Sequence, residues 1–335
     1  MGNKFWSILF GATMLACLIG FAISPLMGWW MPDGVSAHAA EVDFLFYVIL
    51  WITTFFFILT EAILVGFMWQ YTSQDGKRPV NENADVAGFL KPLTGLLDSQ
   101  HKVEMAWTLV PAAILIYISF AQIKTWADIK YASRNQMAAW DSAKFAGKTD
   151  EEKTPPLQIA VSARQFEWRM RYPSVARFTK DWKMDAPKNK GDYDSFGKMP
   201  HADDILVVNE LHIWQNHSVA VHLTTRDVIH SFNLPNFRVK QDALPGKMIP
   251  VWFKTLDPAK TKTVNVKWDE KSQRYQDGIN PETGKEDLNY TYDIACAELC
   301  GWGHYRMIGR VYVHKDMAEF VDWLKKAESA FHKRN

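Results

Sequence analysis

Residues 296–307 read CAELCGWGHYRM and place two thiols, one imidazole and one thioether at positions 1, 5, 9 and 12 of the stretch. Thiolate and thioether sulfurs are soft ligands that select copper, and a neutral imidazole suits the same metal. Two cysteines four residues apart on a loop can turn both sulfurs inward, so that each thiolate bridges two metal ions. The stretch therefore indicates a copper loop, and a dinuclear site needs a further histidine from elsewhere in the chain.

Two other interpretations of this loop stay open at this point. Cys296, Cys300 and His304 are also a suitable set of three ligands for tetrahedral zinc. The two cysteines could instead form a disulfide if the loop faces an oxidising compartment. Only three cysteines occur in 335 residues, so the sequence indicates no disulfide framework, and no CxxCH motif for covalent c-type haem is present.

The sequence around the loop has the pattern of a β domain. In residues 166–172, FEWRMRY, every second side chain is apolar, which is typical of a strand with one buried face. Such strands, separated by turn-rich segments, predict an antiparallel sandwich or barrel. The further strand candidates are 205–208, 219–224, 249–253, 263–268, 290–295 and 310–313. An amphipathic helix is predicted over 316–333, and long surface loops over 176–204 and 256–288.

The long apolar segments lie in the first 125 residues. Phe44 to Trp69 is long enough to span a hydrocarbon core of about 30 Å. Met105 to Ala121 is a second candidate, and its Pro111 is tolerated in a spanning helix. These segments predict a transmembrane hairpin over 39–130, followed by a linker over 131–156 and a domain over 157–335.

The segment 1–38 is predicted to be a third spanning helix or a signal peptide, because Phe5 to Leu26 is apolar. The helix is favoured, since the run is longer than a usual signal core. Cys17 is a candidate for lipid attachment, but a small buried residue in a helix is the favoured explanation. Glu61 is a costly carboxylate inside a predicted span and a candidate for a functional role, but a polar groove of a partner subunit is the favoured explanation.

The distribution of positive charge predicts the orientation of the hairpin. The connection 71–102 contains Lys77, Arg78, Lys91 and Lys102, whereas 31–42 contains no Lys or Arg. Positive loops stay in the cytoplasm, so the domain after about Lys124 is expected on the outer face of the membrane. The formal net charge of +1 gives no indication of nucleic-acid binding, which typically requires a strongly basic surface.

His230 is the candidate for the additional imidazole. It lies in residues 227–235, DVIHSFNLP, after a predicted strand and 66 residues before Cys296. A lone histidine after a strand is more often structural than a ligand, but its position between a strand and a loop favours ligation here. Five further histidines of the domain lack a comparable partner spacing: His212, His217, His222, His314 and His332.

Four segments together resemble cytochrome c oxidase subunit II. They are VEMAWTLVP (103–111), DVIHSF (227–232), KQDALPGK (240–247) and CAELCGWGH (296–304) with Met307. The resemblance extends from Ala39 to Asn335. It implies a membrane α-helical hairpin anchor of two transmembrane helices, with the N-terminal segment as a possible third, followed by an all-β cupredoxin-like sandwich or barrel.

The resemblance also implies a set of site residues. The dinuclear copper centre of the family, CuA, would be bound by His230, Cys296, Cys300, His304 and Met307, and by the backbone carbonyl of Glu298. Both thiolates would bridge the coppers. The Glu298 side chain would bind a magnesium ion shared with subunit I, and Glu104 would lie at the entrance of a proton channel into that subunit.

The sequence departs from the family where electrons are received. Residues 164–168 read RQFEW in place of the usual HQWYW, so Phe166 replaces the tryptophan at which cytochrome c delivers its electron. Phe166 and Trp168 are therefore the expected electron-receiving aromatic region. Arg226 also occupies a position that is often acidic, and complementary charge normally steers the donor. An unusual or membrane-bound cytochrome, or a permanently docked respiratory complex, is a candidate donor.

The implied function is that of the electron-accepting subunit of a proton-pumping terminal oxidase in the bacterial cytoplasmic membrane. Electrons from a cytochrome c-type donor would pass through CuA, on the periplasmic face, to haem in subunit I for reduction of oxygen to water. Subunits I and III and membrane lipids would be its partners. A membrane-tethered copper-binding protein and a copper-free quinol-oxidase-type structural subunit are the alternatives. Glu104 and Glu298 disfavour the first alternative, and the intact Cys296, Cys300 and His304 disfavour the second.

Overall fold

A computed structural model describes residues 5–27, 29–70, 100–138, 156–178, 200–256, 267–269, 274–276 and 292–334. The chain divides into two compact units, each described by itself. The first consists of Met1–Met31 with Asp43–Ile123, and the second of Pro32–Val42 with Lys124–Asn335.

In the described part of the chain, three helices are long and apolar enough to cross a membrane. They are α1 (Phe5–Ile23), α2 (Ala39–Gln70) and α3 (Gln100–Ala138). α1 and α2 approach closely at Gly11, where an added Cβ would lie 3.5 Å from Val65 Cγ1. The predicted hairpin connection at 71–99 lies outside the described residues.

The third helix is longer than its apolar core predicts. It includes Pro111 and continues through Ala138, so residues 131–138 of the predicted linker are helical. Residues 122–138 are more polar but contain neither Gly nor Pro, and nothing in their sequence therefore breaks the helix. The rest of the predicted linker, 139–155, lies outside the described residues.

The second unit contains two five-stranded sheets. The strands are β1 (Leu157–Arg164), β2 (Glu167–Tyr172), β3 (Ile205–Val208), β4 (Glu210–Trp214), β5 (Ser218–Thr225), β6 (His230–Leu234), β7 (Val239–Ala243), β8 (Ile249–Lys254), β9 (Lys267–Asp269), β10 (Arg274–Gln276), β11 (Tyr292–Cys296) and β12 (Ile308–His314). One sheet has the order β3-β2-β1-β5-β8 and the other β4-β12-β11-β6-β7, while β9 and β10 form a separate ribbon.

The two sheets share one hydrophobic core and form a sandwich, which confirms the predicted fold class. The expectation of purely antiparallel pairing was wrong, because β1 pairs with β5, and β12 with β4, in parallel. Parallel neighbours require a crossover connection, and the chain makes one by passing through β4 of the other sheet before it returns as β5.

A fourth helix, α4 (Met317–Arg334), covers part of the sandwich. Phe320, Trp323 and Leu324 on this helix are buried in the core, and the Trp323 ring lies 5.0 Å from the ring of Tyr172 on β2. Each such large apolar side chain contributes about 1.5–3 kcal/mol when it is fully buried. The predicted amphipathic helix over 316–333 is thus present and packs through its apolar side.

The two ends of the first predicted surface loop are well anchored. Between β2 and β3, Phe178 is buried, and Arg177 forms ion pairs with Asp203 and with the buried Asp204. Residues 179–199 of the first loop lie outside the described part of the chain, as does most of 256–288 apart from β9 and β10.

Two buried histidines, one in the middle of β4 and one at the end of β12, lie side by side. His212 and His314 share a hydrogen bond of 3.0 Å, and the His212 ring stacks on Trp323 with 3.8 Å between ring centroids. Two carboxylates lie near this pair. Glu210 Oε2 is 3.7 Å from His212 Nε2, and Glu319 Oε1 is 3.9 Å from His314 Nδ1. Burial, followed by the neighbouring His314, holds the pKa of His212 well below its ordinary value.

This histidine pair predicts loss of stability in mild acid. Below about pH 6.5, His212 is protonated in the unfolded chain but stays neutral in the folded protein. The contribution of neutral His212 to stability is therefore complete above that pH and declines as the pH falls towards the pKa of the folded state. We expect the free energy of unfolding to fall by up to about 1.4 kcal/mol per pH unit in this range.

Thermal unfolding of the full-length chain at about pH 7.5 and about pH 5.5 measures this effect. His212→Phe should flatten the pH dependence, whereas His332→Gln, at an exposed position on α4, should preserve it. Equal pH slopes in wild type and His212→Phe would exclude His212 as the cause.

Candidate metal centre

The pairing of β6 with β11 brings together the two segments that sequence analysis singled out. His230 is the first residue of β6 and Cys296 the last of β11, and Cys296 pairs with Phe232. The loop that follows is closed at its base by a hydrogen bond from Cys296 N to Met307 O, 3.1 Å long. The sandwich therefore fixes both ends of the loop and the histidine next to it.

Three potential metal ligands form a compact group. The ligand atoms of His230, Cys296 and Cys300 all lie within 4.8 Å of one another. Cys296 Sγ is 3.8 Å from Cys300 Sγ and 3.9 Å from His230 Nδ1. This donor set of two sulfurs and one imidazole suits a soft transition metal such as copper.

Further donor atoms surround the second sulfur. Cys300 Sγ lies 3.5 Å from His304 Nδ1 and 3.9 Å from Met307 Sδ, while the carbonyl oxygen of Glu298 lies 3.2 Å from Cys296 Sγ. One imidazole therefore approaches each sulfur, His230 at Cys296 and His304 at Cys300. The six donor atoms expected from the sequence therefore lie close together, with one imidazole nitrogen near each sulfur.

The interior of the domain shields most of these donors. His230 and Met307 have no exposed surface, Cys300 is 2% exposed, and Cys296 and His304 are partly buried. Burial, followed by the neighbouring Cys296, raises the pKa of the Cys300 thiol to about 12. A metal that binds here must displace thiol protons, so binding and proton release are coupled.

Asp227 orients the imidazole of His230. Its Oδ1 lies 2.8 Å from His230 Nε2, which leaves Nδ1 directed at Cys296. Asp227 also accepts hydrogen bonds from the backbone N–H groups of Gln165 and Val228, at 2.7 and 2.8 Å. Burial opposes ionisation of Asp227, but these hydrogen bonds outweigh it and lower the pKa of the carboxyl group.

Removal of this carboxylate is expected to weaken metal binding. In Asp227→Ala the His230 ring loses the partner that fixes its tautomer, and outer-shell partners of this kind typically contribute about 10–100-fold in affinity. A competition titration of copper against a chelator measures the change. Asp293→Ala is the matched control, because Asp293 is a half-exposed carboxylate paired with Arg310 on the neighbouring strand. Equal affinities of the two variants would contradict the orienting role.

Residues 165 and 166 support the loop from the facing sheet. Gln165 Nε2 donates a hydrogen bond of 2.6 Å to the carbonyl of Cys300. The half-buried Phe166 ring lies against Gly303, where an added Cβ would come within 2.5 Å of Phe166 Cδ2. The two glycines of the loop thus allow this ring to approach the backbone between Cys300 and His304.

The remaining predicted site residues differ in how exposed their side chains are. Trp168 has no exposed surface; its ring centroid lies 6.3 Å from that of His230 on the core side, so it cannot touch a donor protein. Glu104 is exposed near the start of α3. The Glu298 side chain is exposed, although its carbonyl faces the cluster.

Sequence reasoning missed three residues at this site. Asp227 received no role from the sequence, although its position three residues before His230 is a usable signal for an orienting partner. Gln165 gave no signal, because it meets the loop only across the sandwich. Trp302 was read as part of the loop motif, although it is 77% exposed.

The outer side of the loop is apolar. Leu299, Trp302 and Tyr305 are 79, 77 and 72% exposed, and Val228 and Ile229 before β6 are also exposed. Exposed apolar groups of this size, clustered on one surface, mark interaction sites. The loop is therefore suited to contact another protein directly.

Comparisons with known proteins identify the family of this chain. Residues 157–261 match the family described as cytochrome c oxidase subunit II, periplasmic domain, and residues 24–124 match its transmembrane domain. Cytochrome c oxidase subunit 2 of Thermostichus vulcanus is 24% identical, with 97% of this chain and 85% of that protein aligned. The alternative cytochrome c oxidase subunit 2 of Bradyrhizobium diazoefficiens is 22% identical, with 90% of this chain and 84% of that protein aligned.

Among solved structures, the periplasmic domain of subunit II of cytochrome oxidase of Bradyrhizobium japonicum is 24% identical, with a TM-score of 0.33. The match covers 52% of this chain and 95% of that one. The two family matches together span more than half of the sequence and include α2, most of α3 and strands β1 to β8. The chain therefore belongs to the cytochrome c oxidase subunit II family.

Proposed function

We propose that this chain is the electron-accepting subunit of a proton-pumping terminal oxidase and binds a dinuclear CuA centre. The observation that carries the proposal is the convergence of two sulfurs, each with its own imidazole. The ligands would be His230, Cys296, Cys300, His304 and Met307, with the carbonyl oxygen of Glu298.

When copper is bound, two thiolate-bridged ions would share one electron, so that little rearrangement accompanies electron transfer. The chain's own residues keep the site rigid. The base of the loop is bonded across its two ends, Gln165 holds the Cys300 carbonyl, and Asp227 holds His230. The buried donors also exclude water, which tunes the potential of a metal site.

Glu298 and Glu104 support a partner subunit in this proposal. The carbonyl of Glu298 faces the donor cluster while its side chain is exposed, so one residue can serve both copper and a magnesium ion shared with subunit I. The exposed Glu104 on α3 would supply protons to subunit I. An ionisable residue on a membrane-spanning helix is expensive and is therefore a functional candidate.

The proposed assembly contains subunits I and III and lies in the bacterial cytoplasmic membrane. The sandwich would be on the periplasmic face, where a cytochrome c or a membrane-bound cytochrome gives up its electron. The predicted division into an N-terminal segment, a hairpin at 39–130, a linker and a copper domain at 157–335 belongs to this proposal. Apolar side chains on the outside of the loop provide the contact surface for such a donor.

Two alternatives make different predictions. A membrane-tethered copper carrier would bind copper without an oxidase partner, and a quinol-oxidase-type structural subunit would bind no copper. Purification of the full-length chain from its native membranes separates them. The proposal predicts a complex that contains haem, copper and subunit I and consumes oxygen with reduced cytochrome c. Purification of a copper-containing chain without haem, or of a complex without copper at this chain, would contradict it.

A further inference from the structure

Trp302 lies at the point where the loop is both exposed and connected to two of the donors. It is two residues from Cys300 and two from His304, so the covalent path from its indole to either residue is short. Its side chain is 77% exposed, whereas Phe166 is half-buried and Trp168 fully buried. Of these three aromatic rings, Trp302 has by far the greatest access to a partner.

The ring of Trp302 is held in place by Phe166. Their ring centroids are 5.2 Å apart in an edge-to-face arrangement with an interplanar angle of 70°. Aromatic pairs with this geometry are worth about 0.5–1.5 kcal/mol beyond the area that they bury. Phe166 itself packs against Gly301 and Gly303, the two neighbours of Trp302. The phenyl ring therefore fills the space beneath the loop, and the indole extends beyond it to the surface.

We propose that Trp302 is the residue through which a haem-containing donor protein delivers electrons to the copper pair, with Phe166 as its positioning residue. This inference rests on the proposed electron-accepting function. The indole π-system is larger and more easily polarised than a phenyl ring, and a donor that covers Trp302 brings its haem edge closest to the loop there. Trp302 thereby takes the electron-receiving role that was expected for Phe166.

The electron balance of the step is simple. One electron leaves the ferrous haem of the donor, which becomes ferric, and is taken up by the copper pair. Trp302 mediates the electronic coupling and is neither oxidised nor reduced overall. No bond forms or breaks and no proton moves, so the rate depends on distance and coupling through the contact with the indole.

The first test locates the donor without measuring activity. The copper-loaded full-length chain is mixed with a ferric soluble c-type cytochrome and briefly exposed to hydroxyl radicals, and oxidation of each tryptophan is quantified by mass spectrometry. We expect labelling of Trp302 to fall about fivefold when the cytochrome is bound, as for a residue at the centre of an interface. Unchanged labelling of Trp302 in a mixture that demonstrably forms the complex would overturn the proposal.

The second test measures the rate of delivery. At saturating ferrous cytochrome in stopped-flow mixing, Trp302→Phe should slow reduction of the copper by about tenfold or more, which corresponds to about 1.4 kcal/mol in barrier. Trp29→Phe, the same substitution at a tryptophan outside the loop that is 74% exposed, should remain within about twofold of wild type. The paramagnetic resonance spectrum of the copper should be identical in all three proteins, because none of these changes touches a ligand atom.

The outcomes separate this inference from the proposed function. If wild type is reduced rapidly and Trp302→Phe is reduced equally fast with an unchanged copper spectrum, the role of Trp302 is wrong while the electron-accepting function stands. If the copper-loaded wild-type chain accepts no electrons from a c-type cytochrome, the proposed function fails with this donor class, and the inference fails with it.

Discussion

Cys300→Ser is expected to abolish binding of a copper pair and with it all electron acceptance. The Cys300 sulfur lies within 3.9 Å of three other donor atoms, those of Cys296, His304 and Met307, and is therefore the centre of the cluster. A serine hydroxyl is a hard ligand that stays protonated and cannot bridge two coppers. Loss of outer-shell partners alone costs about 10–100-fold in affinity, so loss of a bridging thiolate should exceed about 100-fold.

Copper stoichiometry and the visible absorption of the purified full-length chain measure this effect. Cys17→Ser is the matched control, since Cys17 is an exposed thiol on α1 outside the sandwich. The control should keep the wild-type stoichiometry and spectrum. Because serine is close to cysteine in size, circular dichroism should show an intact fold in both variants. Full copper loading of Cys300→Ser would show that the Cys300 sulfur is not needed to bind copper and would contradict the proposed site.

Gly301→Ala is expected to have the second largest effect, because it changes the loop without changing any ligand. Gly301 has a φ of +124°, which side chains rarely adopt, and an added Cβ would lie 2.7 Å from Gln165 Nε2 and 3.3 Å from Phe166 Cζ. Gln165 is the residue that holds the Cys300 carbonyl. We expect a loss of about 1–3 kcal/mol in unfolding free energy from the backbone strain, and a further loss of copper affinity as Gln165 is displaced.

Gly246→Ala separates the two causes. Gly246 also has a positive φ, +72°, but no atom lies within 4 Å of the position of its added Cβ. The control should lose stability through backbone strain alone and keep its copper affinity. Denaturant unfolding and a copper competition titration on both variants provide the comparison. If Gly301→Ala and Gly246→Ala lose the same amount of copper affinity, the close approach of residues 165 and 166 does not support the loop.

The helices and several strands could be predicted because their sequences carry a strong one-dimensional signal. Apolar length alone identified α2 and α3, and alternation identified β2. The strands that were missed lack that signal. The first five residues of β1 are all buried in the middle of its sheet, so its apolar residues do not alternate, and β7, VKQDA, is a largely polar strand at a sheet edge. These strands are defined by pairing with their neighbours, β2 and β5 for β1 and β6 for β7, and not by a pattern in their own residues.

The candidate site shows the same division. Residues 296–307 contain most of the donors in one short motif, so a copper site could be predicted from the sequence. The roles of Gln165 and Asp227 depend on distances across the sandwich, and those distances arise only when β1, β6 and β11 pack together. The burial of Trp168 is likewise a property of the common core. The substitution at Phe166 was visible in the sequence, but its contact with Trp302 was not.

The paramagnetic resonance spectrum of the copper-loaded full-length chain tests the central claim most directly. A dinuclear centre shares one unpaired electron between two equivalent copper nuclei, and its hyperfine splitting must show coupling to both. If this chain binds a dinuclear copper centre, we expect such a mixed-valence spectrum with two coppers per chain. The spectrum should be lost in Cys296→Ser as well as in Cys300→Ser. A spectrum with coupling to a single copper nucleus, or a chain that binds zinc in preference to copper and gives no signal, would contradict this claim.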